Sequence, residues 1–227
     1  TEIVKNEEDA VIAAGVDKFT GIPNDYPVFE EITQCDVDVD VVIDFSNAGA
    51  VDELLDYCVK KSLPVVLCTT GLSDEQLKKV DECSEKIAVL KSANMSMGIN
   101  LLLKLLKDAA KVLAPAGYDI ELVEKHHNQK LDAPSGTAIT LAEGIIENLE
   151  RKSSWINGAP TTSEAIEIES FREGMIPGIH TVRYTSQDDY IELKHSITNR
   201  RALAMGAVIA GEYLADKQGV HTMDNLL

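Results

Sequence analysis

Two domains of different class are predicted by this 227-residue sequence: an α/β unit around a parallel sheet, then an α+β unit around a mixed sheet. Three observations carry that expectation. Before residue 95, near-continuous apolar runs such as VVIDF and PVVLC alternate with amphipathic stretches, as parallel strands covered on both faces require. After residue 95, helices and strands arrive in another pattern, and the strands alternate polar with apolar residues. A last apolar stretch, 200–216, is helical by its spacing and is expected to pack back on the first unit.

Residues 1–8 (TEIVKNEE) read as the end of a helix, and 10–17 (AVIAAGVD) as a buried strand and turn. A second strand is expected at 39–46. The helix at 50–61 places Val51, Leu54, Leu55, Cys58 and Val59 on one face. The third strand, 64–70, is bounded by Gly71, and Ser73 with Gln76 forms a capping box for the helix that follows. A fourth strand lies at 87–92. In the second unit the spacing predicts a long apolar helix at 98–114, an alternating strand at 118–127 and a helix at 135–150. A polar loop is expected at 151–163, then strands at 164–172, 180–186 and 190–197, with Asp188 and Asp189 in the last turn.

Composition narrows the function. Thirty-eight acidic side chains against 21 basic ones give a formal charge of −17, which repels phosphate backbones and anionic lipid. Neither nucleic acid nor membrane is therefore an expected partner. Cys35, Cys58, Cys68 and Cys83 show no paired spacing, so free thiols in a reducing cytoplasm are expected.

Reactive side chains crowd into ELVEKHHNQKLDAPSGTA, residues 121–138. If the strand persists, Ile120, Leu122, Glu124 and His126 share one face and His127 looks the other way, towards a different task. Histidine is the natural proton donor near neutrality, and Lys130 adds a cation. Ser135 can cap the next helix, whose first amides, at Ser135, Gly136 and Thr137, suit a carboxylate or phosphate. The proton donor, the cation and the anion-binding helix start together suggest an enzyme acting on a small anion, with these side chains in a solvent-accessible cleft. Adjacent histidines splay apart, so no metal site is expected.

The segment VEKHHNQKLDAPSGTA also resembles the signature of the dihydrodipicolinate reductase family. VVIDFS, CTTGLS, SANMSMGIN, FREGMIPGIHTV, ELKHSITNRRALAMGA and MDNLL follow in the family's order. The resemblance implies a Rossmann-like dinucleotide-binding domain at 1–95 and 204–227, and a substrate-binding and tetramerisation domain at 96–203. It implies His126 as the acid-base residue, Lys130 as a second proton donor, His127 as a substrate contact, and Ser135, Gly136 and Thr137 as holders of a substrate carboxylate. The cofactor is NADH or NADPH, with Asp17 at the adenosine ribose hydroxyls or Lys18 at a 2′-phosphate, and Cys68, Thr69, Thr70, Ser92, Ala93, Asn94 and Met95 in the cofactor loops. The implied substrate is a small cyclic dicarboxylate on the diaminopimelate and lysine pathway, and the implied assembly a cytoplasmic homotetramer. One departure stands out: the family opens on a strand and a G-x-x-G-x-M-G phosphate loop, which is not found here, so about 20 residues are expected to precede Thr1. A non-catalytic dinucleotide sensor and a related two-domain dehydrogenase are the competing readings.

Overall fold

The computed structural model describes residues 1–149, 152–158 and 164–227 and divides into two compact units, 1–95 with 203–227, and 96–202. In the first unit, β1 (Gly15–Val16) pairs in parallel with β2 (Val28–Phe29). β3 (Val42–Asp44), α1 (Val51–Lys61), β4 (Val65–Leu67), α2 (Asp74–Ser84) and β5 (Val89–Lys91) then alternate. Strands β3, β4 and β5 form a parallel sheet. β4 is fully apolar and buried, which is why it reads as an unbroken Val-rich run. Val51, Leu54, Leu55 and Cys58 of α1 join Val65, Leu67, Val80, Cys83 and Val89 in one core. The capping box of α2 forms as expected, with Ser73 Oγ accepting from the Gln76 amide and Gln76 Oε1 from that of Ser73.

The expectation of a buried strand over 10–17 is corrected. Of these positions Gly15 and Val16 pair, and Val11 is 86% exposed; β1 and β2 form a separate two-stranded sheet, with no second neighbour among the described residues to cover them. Residues 1–8 hold a 3-10 turn, Val4–Asn6.

The second unit runs α3 (Met97–Leu113), β6 (Asp119–His126), α4 (Gly136–Ile146), β7 (Ser154–Asn157), β8 (Ala165–Arg172), β9 (Gly178–Thr185) and β10 (Tyr190–Ile197). The sheet order is β10-β9-β6-β8-β7, antiparallel from β10 to β6 and parallel from β6 to β7, a mixed sheet. β6 sits centrally between β9 and β8, so its register fixes what its side chains meet. Ile120 and Leu122 of β6 pack with Ile166, Ile168, Val182 and Tyr184 and with Leu102, Leu106, Leu141 and Ile145 of the two helices. Tyr184 pins α3 by donating its hydroxyl to the Leu106 carbonyl at 2.8 Å. The loop expected at 151–163 contains β7 instead: Trp155 and Ile156 take the ladder positions beside Ile166 and Glu167. Residues 151 and 159–163 of that expected loop, and residue 150 of the expected helix, lie outside the described residues.

The chain continues through α5 (Arg201–Leu214) into β11 (Val220–His221), which the sequence pattern did not reveal and which extends the first sheet beside β5. Gly206 is needed there, since a Cβ would lie 1.7 Å from the Met95 carbonyl oxygen. Among the described residues, no helix is long and apolar enough to cross a membrane.

Candidate active site

Alternation along β6 buries Ile120, Leu122, Glu124 and His126 on the helix-covered face. The first two belong to the apolar core. The next two are polar, Glu124 0% and His126 7% exposed. A carboxylate in that position is costly unless it is paired and hydrogen-bonded. Register supplies the partners: Glu124 lies opposite His180 of β9, and His126 opposite Arg172 of β8.

Glu124 Oε1 accepts from Arg172 Nη2 at 3.0 Å and from the Ser135 amide at 3.1 Å. Its Oε2 faces His126 Nδ1. Burial opposes the charge on Glu124, but the Ser170 hydroxyl, the Arg172 guanidinium and His126 outweigh it and hold the carboxyl below its ordinary range. Burial lowers the His126 pKa; Glu124 pulls it back, while Lys130 and Arg172 add to the lowering. His180 is pushed down to about 4, first by burial and then by His126, whose ring it meets edge-on at 5.2 Å. His180 Nε2 is 3.2 Å from Ser135 Oγ.

Ser135 caps α4, its Oγ accepting from the Ala138 amide at 3.2 Å. Gly136 is exposed, and a Cβ placed there would meet nothing within 4 Å, so the helix start opens onto free space. Thr137, partly buried, follows it. Arg172 also donates to the carbonyls of Lys130 and Asp132, and Lys130 Nζ pairs with Asp132 Oδ1 at 2.9 Å. His127 is part-exposed, and its carbonyl accepts from the Lys130 amide at 3.1 Å. The structure therefore gathers His126 and Ser135 around one carboxylate, with Lys130 hung from the same arginine. It corrects the expectation of an open cleft at His126, which is buried because the edge of its ring lies under Gly178 and His180.

The ligand atoms of Glu124, His126 and His180 lie within 4.8 Å of one another, spacing that a metal ion could use. Arg172 already compensates the carboxylate, and Nδ1 of His126 is turned to Glu124 in an ion-pair contact. The arrangement suits proton handling.

In the first unit, Thr69 Oγ1 donates to Asp44 Oδ2 at 2.6 Å, and the Ser46 amide donates to Asp44 Oδ1 at 2.9 Å. Cys68 follows β4, its thiol pushed up to about 12 by burial and then by Asp44, which favours the neutral form. The Ser92 amide reaches the Leu67 carbonyl at 3.2 Å, and Ser92 Oγ accepts from the Asn94 amide at 3.2 Å. The loops carrying Cys68, Thr69 and Thr70, and Ser92, Ala93, Asn94 and Met95, thus leave the carboxyl ends of adjacent parallel strands, where open α/β sheets bind ligands. Asp17 and Lys18 are exposed beyond β1, with one Asp17 oxygen accepting from the Phe19 amide at 2.8 Å.

Comparison with known proteins agrees with this fold. Residues 1–95 match the description "Dihydrodipicolinate reductase, N-terminus" and residues 98–227 "Dihydrodipicolinate reductase, C-terminus". The chain belongs to the dihydrodipicolinate reductase family. It is 47% identical to the 4-hydroxy-tetrahydrodipicolinate reductase of Clostridium novyi (strain NT), over all of this chain and 92% of that one. The Clostridium tetani (strain Massachusetts / E88) reductase is 44% identical over all of this chain and 91% of its own. A dipicolinate-bound dihydrodipicolinate reductase from Paenisporosarcina sp. TG-14 superposes with a TM-score of 0.85 at 26% identity, covering 100% of this chain and 93% of that one.

Within this family fold, residue-by-residue reading of the sequence passed over Glu124, Arg172, His180 and Asp44 as site residues. A signal existed for two of them. Glu124 and His180 are charged or titratable at positions where strand alternation demands an apolar residue.

Proposed function

We propose that the chain catalyses the NADH- or NADPH-dependent reduction of 4-hydroxy-tetrahydrodipicolinate to tetrahydrodipicolinate, on the diaminopimelate and lysine pathway. The observation that carries this reading is the convergence of His126, Ser135 and the Lys130 segment on the Glu124–Arg172 pair, in a chain of this family. When bound, the cofactor supplies hydride. The protein must bind a dianion, orient it and deliver a proton.

In this reading the amides of Gly136 and Thr137 hold one carboxylate at the positive end of α4, with Ser135 fixing the helix start. His126 is poised as the acid: burial disfavours its charged form in the free protein, and an arriving dicarboxylate favours it. Lys130 adds positive charge beside the same substrate, and His127, on the opposite face of the strand end, contacts it from the side. Asp17 or Lys18 meets the adenosine ribose, while the loops at 68–70 and 92–95 border the nicotinamide.

The sheet face turned away from the helices presents Tyr190, Glu192, Arg183, Glu121, Lys125 and Phe171, with Arg183 bridging Glu121 at 3.2 Å and Glu192 at 2.8 Å. We assign this face to the interface of a homotetramer, and the protein to the cytoplasm, with neither nucleic acid nor membrane as partner. Oxidation of NADH or NADPH on adding the condensation product of pyruvate and aspartate semialdehyde tests the reaction. Cofactor oxidation that depends on that product is expected. Cofactor binding without turnover would favour the sensor, and turnover of another substrate would favour a related dehydrogenase.

A further inference from the structure

We propose that Glu124 is a positioning residue, which selects the nitrogen of His126 that gives the proton and ties it to the anion-binding start of α4. This rests on the reading of His126 as the acid. The carboxylate accepts only, so Nδ1 of His126, facing Oε2, carries a hydrogen and Nε2 becomes the working nitrogen. Nε2 lies against Gly178 of β9, where a Cβ would stand 3.1 Å away. Glycine thus keeps a side chain off that edge of the ring.

The other oxygen of the same carboxylate accepts the Ser135 amide, the N-cap of α4. Arg172 holds the carboxylate from β8 and carries the carbonyls of Lys130 and Asp132. Proton donor, helix start and lysine segment are therefore all referred to one buried ion pair. A shift of the Glu124 side chain would move the first two together, and both must stand correctly for proton transfer to a bound dicarboxylate.

A purely structural ion pair would explain the burial but makes no claim on tautomer or titration. The ionisable groups around His126 are Glu124 on its own strand, Lys130 beyond it, Arg172 from β8 and His180 from β9, with His195 of β10 behind His180. The start of α4 brings the Ser135 hydroxyl and amide to this point. Glu124 is the anion that faces the ring, while Asp132 sits on Lys130 at 2.9 Å. In Glu124→Gln the amide can still accept from Ser135 and Arg172, but its NH2 would face Nδ1, turn the neutral ring to the Nε2–H form and leave His126 among cations.

Two measurements test this. In 15N-labelled protein at pH 8, with the His126 resonances assigned by their loss in His126→Gln, the wild type should show the Nδ1–H tautomer and Glu124→Gln the Nε2–H tautomer. In steady-state assays of the full chain, the alkaline limb of kcat should move about one pH unit or more to lower pH in Glu124→Gln, about a tenfold loss above it, with KM for the dicarboxylate changing less than about threefold. An Nε2–H wild type, or an unmoved limb in folded Glu124→Gln, overturns the proposal. If Glu124→Gln does not fold, the wild-type tautomer decides alone. Should the wild type show no reductase activity at all, the reaction assigned above fails, while the tautomer still reports on Glu124 itself.

Discussion

Asp44 of the first unit and Glu124 of the second are both buried carboxylates near the carboxyl end of a strand, yet they differ in company. Asp44 takes neutral donors, the Ser46 amide and the Thr69 hydroxyl. Glu124 takes a guanidinium, an imidazole and a helix-capping amide. A carboxylate held by neutral dipoles joins two strand ends. One held by titratable and cationic groups also governs their charge, and with it the chemistry available nearby.

The largest test of that contrast removes the proposed donors. His126→Gln and Lys130→Met should each lower kcat by about 10²–10⁴-fold, and the double variant should fall well short of the product, since both act on one developing charge. His126→Gln should also lower the melting temperature, because it strips a buried carboxylate of a partner; Lys130→Met, whose amine meets an exposed aspartate, should hardly change it. Full kcat in His126→Gln would break the comparison outright.

Next comes pH. His180 has a folded pKa of about 4, below its ordinary 6.5, so under pH 6.5 the unfolded chain takes up a proton that the folded one refuses. Stability from this group is present above 6.5 and lost as pH falls towards 4, roughly 3 kcal/mol in all at about 1.4 kcal/mol per unit. Melting curves over that window should be flatter for His180→Gln than for the wild type. Parallel curves would place the loss elsewhere.

Thr69→Val probes the neutral counterpart. Losing the hydroxyl on buried Asp44 should cost about 1–3 kcal/mol of stability in denaturant titrations while leaving kcat at saturating cofactor nearly unchanged. A fall in kcat as large as that of His126→Gln would put Asp44 in the chemistry after all. The smallest effect expected is Thr137→Val. It keeps the amide and removes only the hydroxyl beside the carboxylate. It should therefore raise KM for the dicarboxylate about tenfold or less, with little loss of kcat, because binding weakens equally in ground and transition states.

Much of this protein was legible in its residues one at a time. Alternation in β6 placed Ile120, Leu122, Glu124 and His126 on one face, and Ser73 with Gln76 announced the start of α2. Such signals are local, since strand period and helix caps need only a few adjacent positions. Short strands were less readable. β2, β7 and β11 have two to four residues, too few for a period, and form because a neighbouring strand offers an edge.

The family, the two fold classes and the segment around His126 and Lys130 were determined by sequence alone, through local pattern and a long motif. Tertiary structure alone decided what surrounds His126. Arg172 reaches Glu124 across 48 positions of chain, and His180 meets Ser135 across 45, because β6 is flanked by β8 in parallel and by β9 in antiparallel. Pairing register between distant strands leaves no mark on any one of them, so the charge state of the site was decided only when the sheet closed.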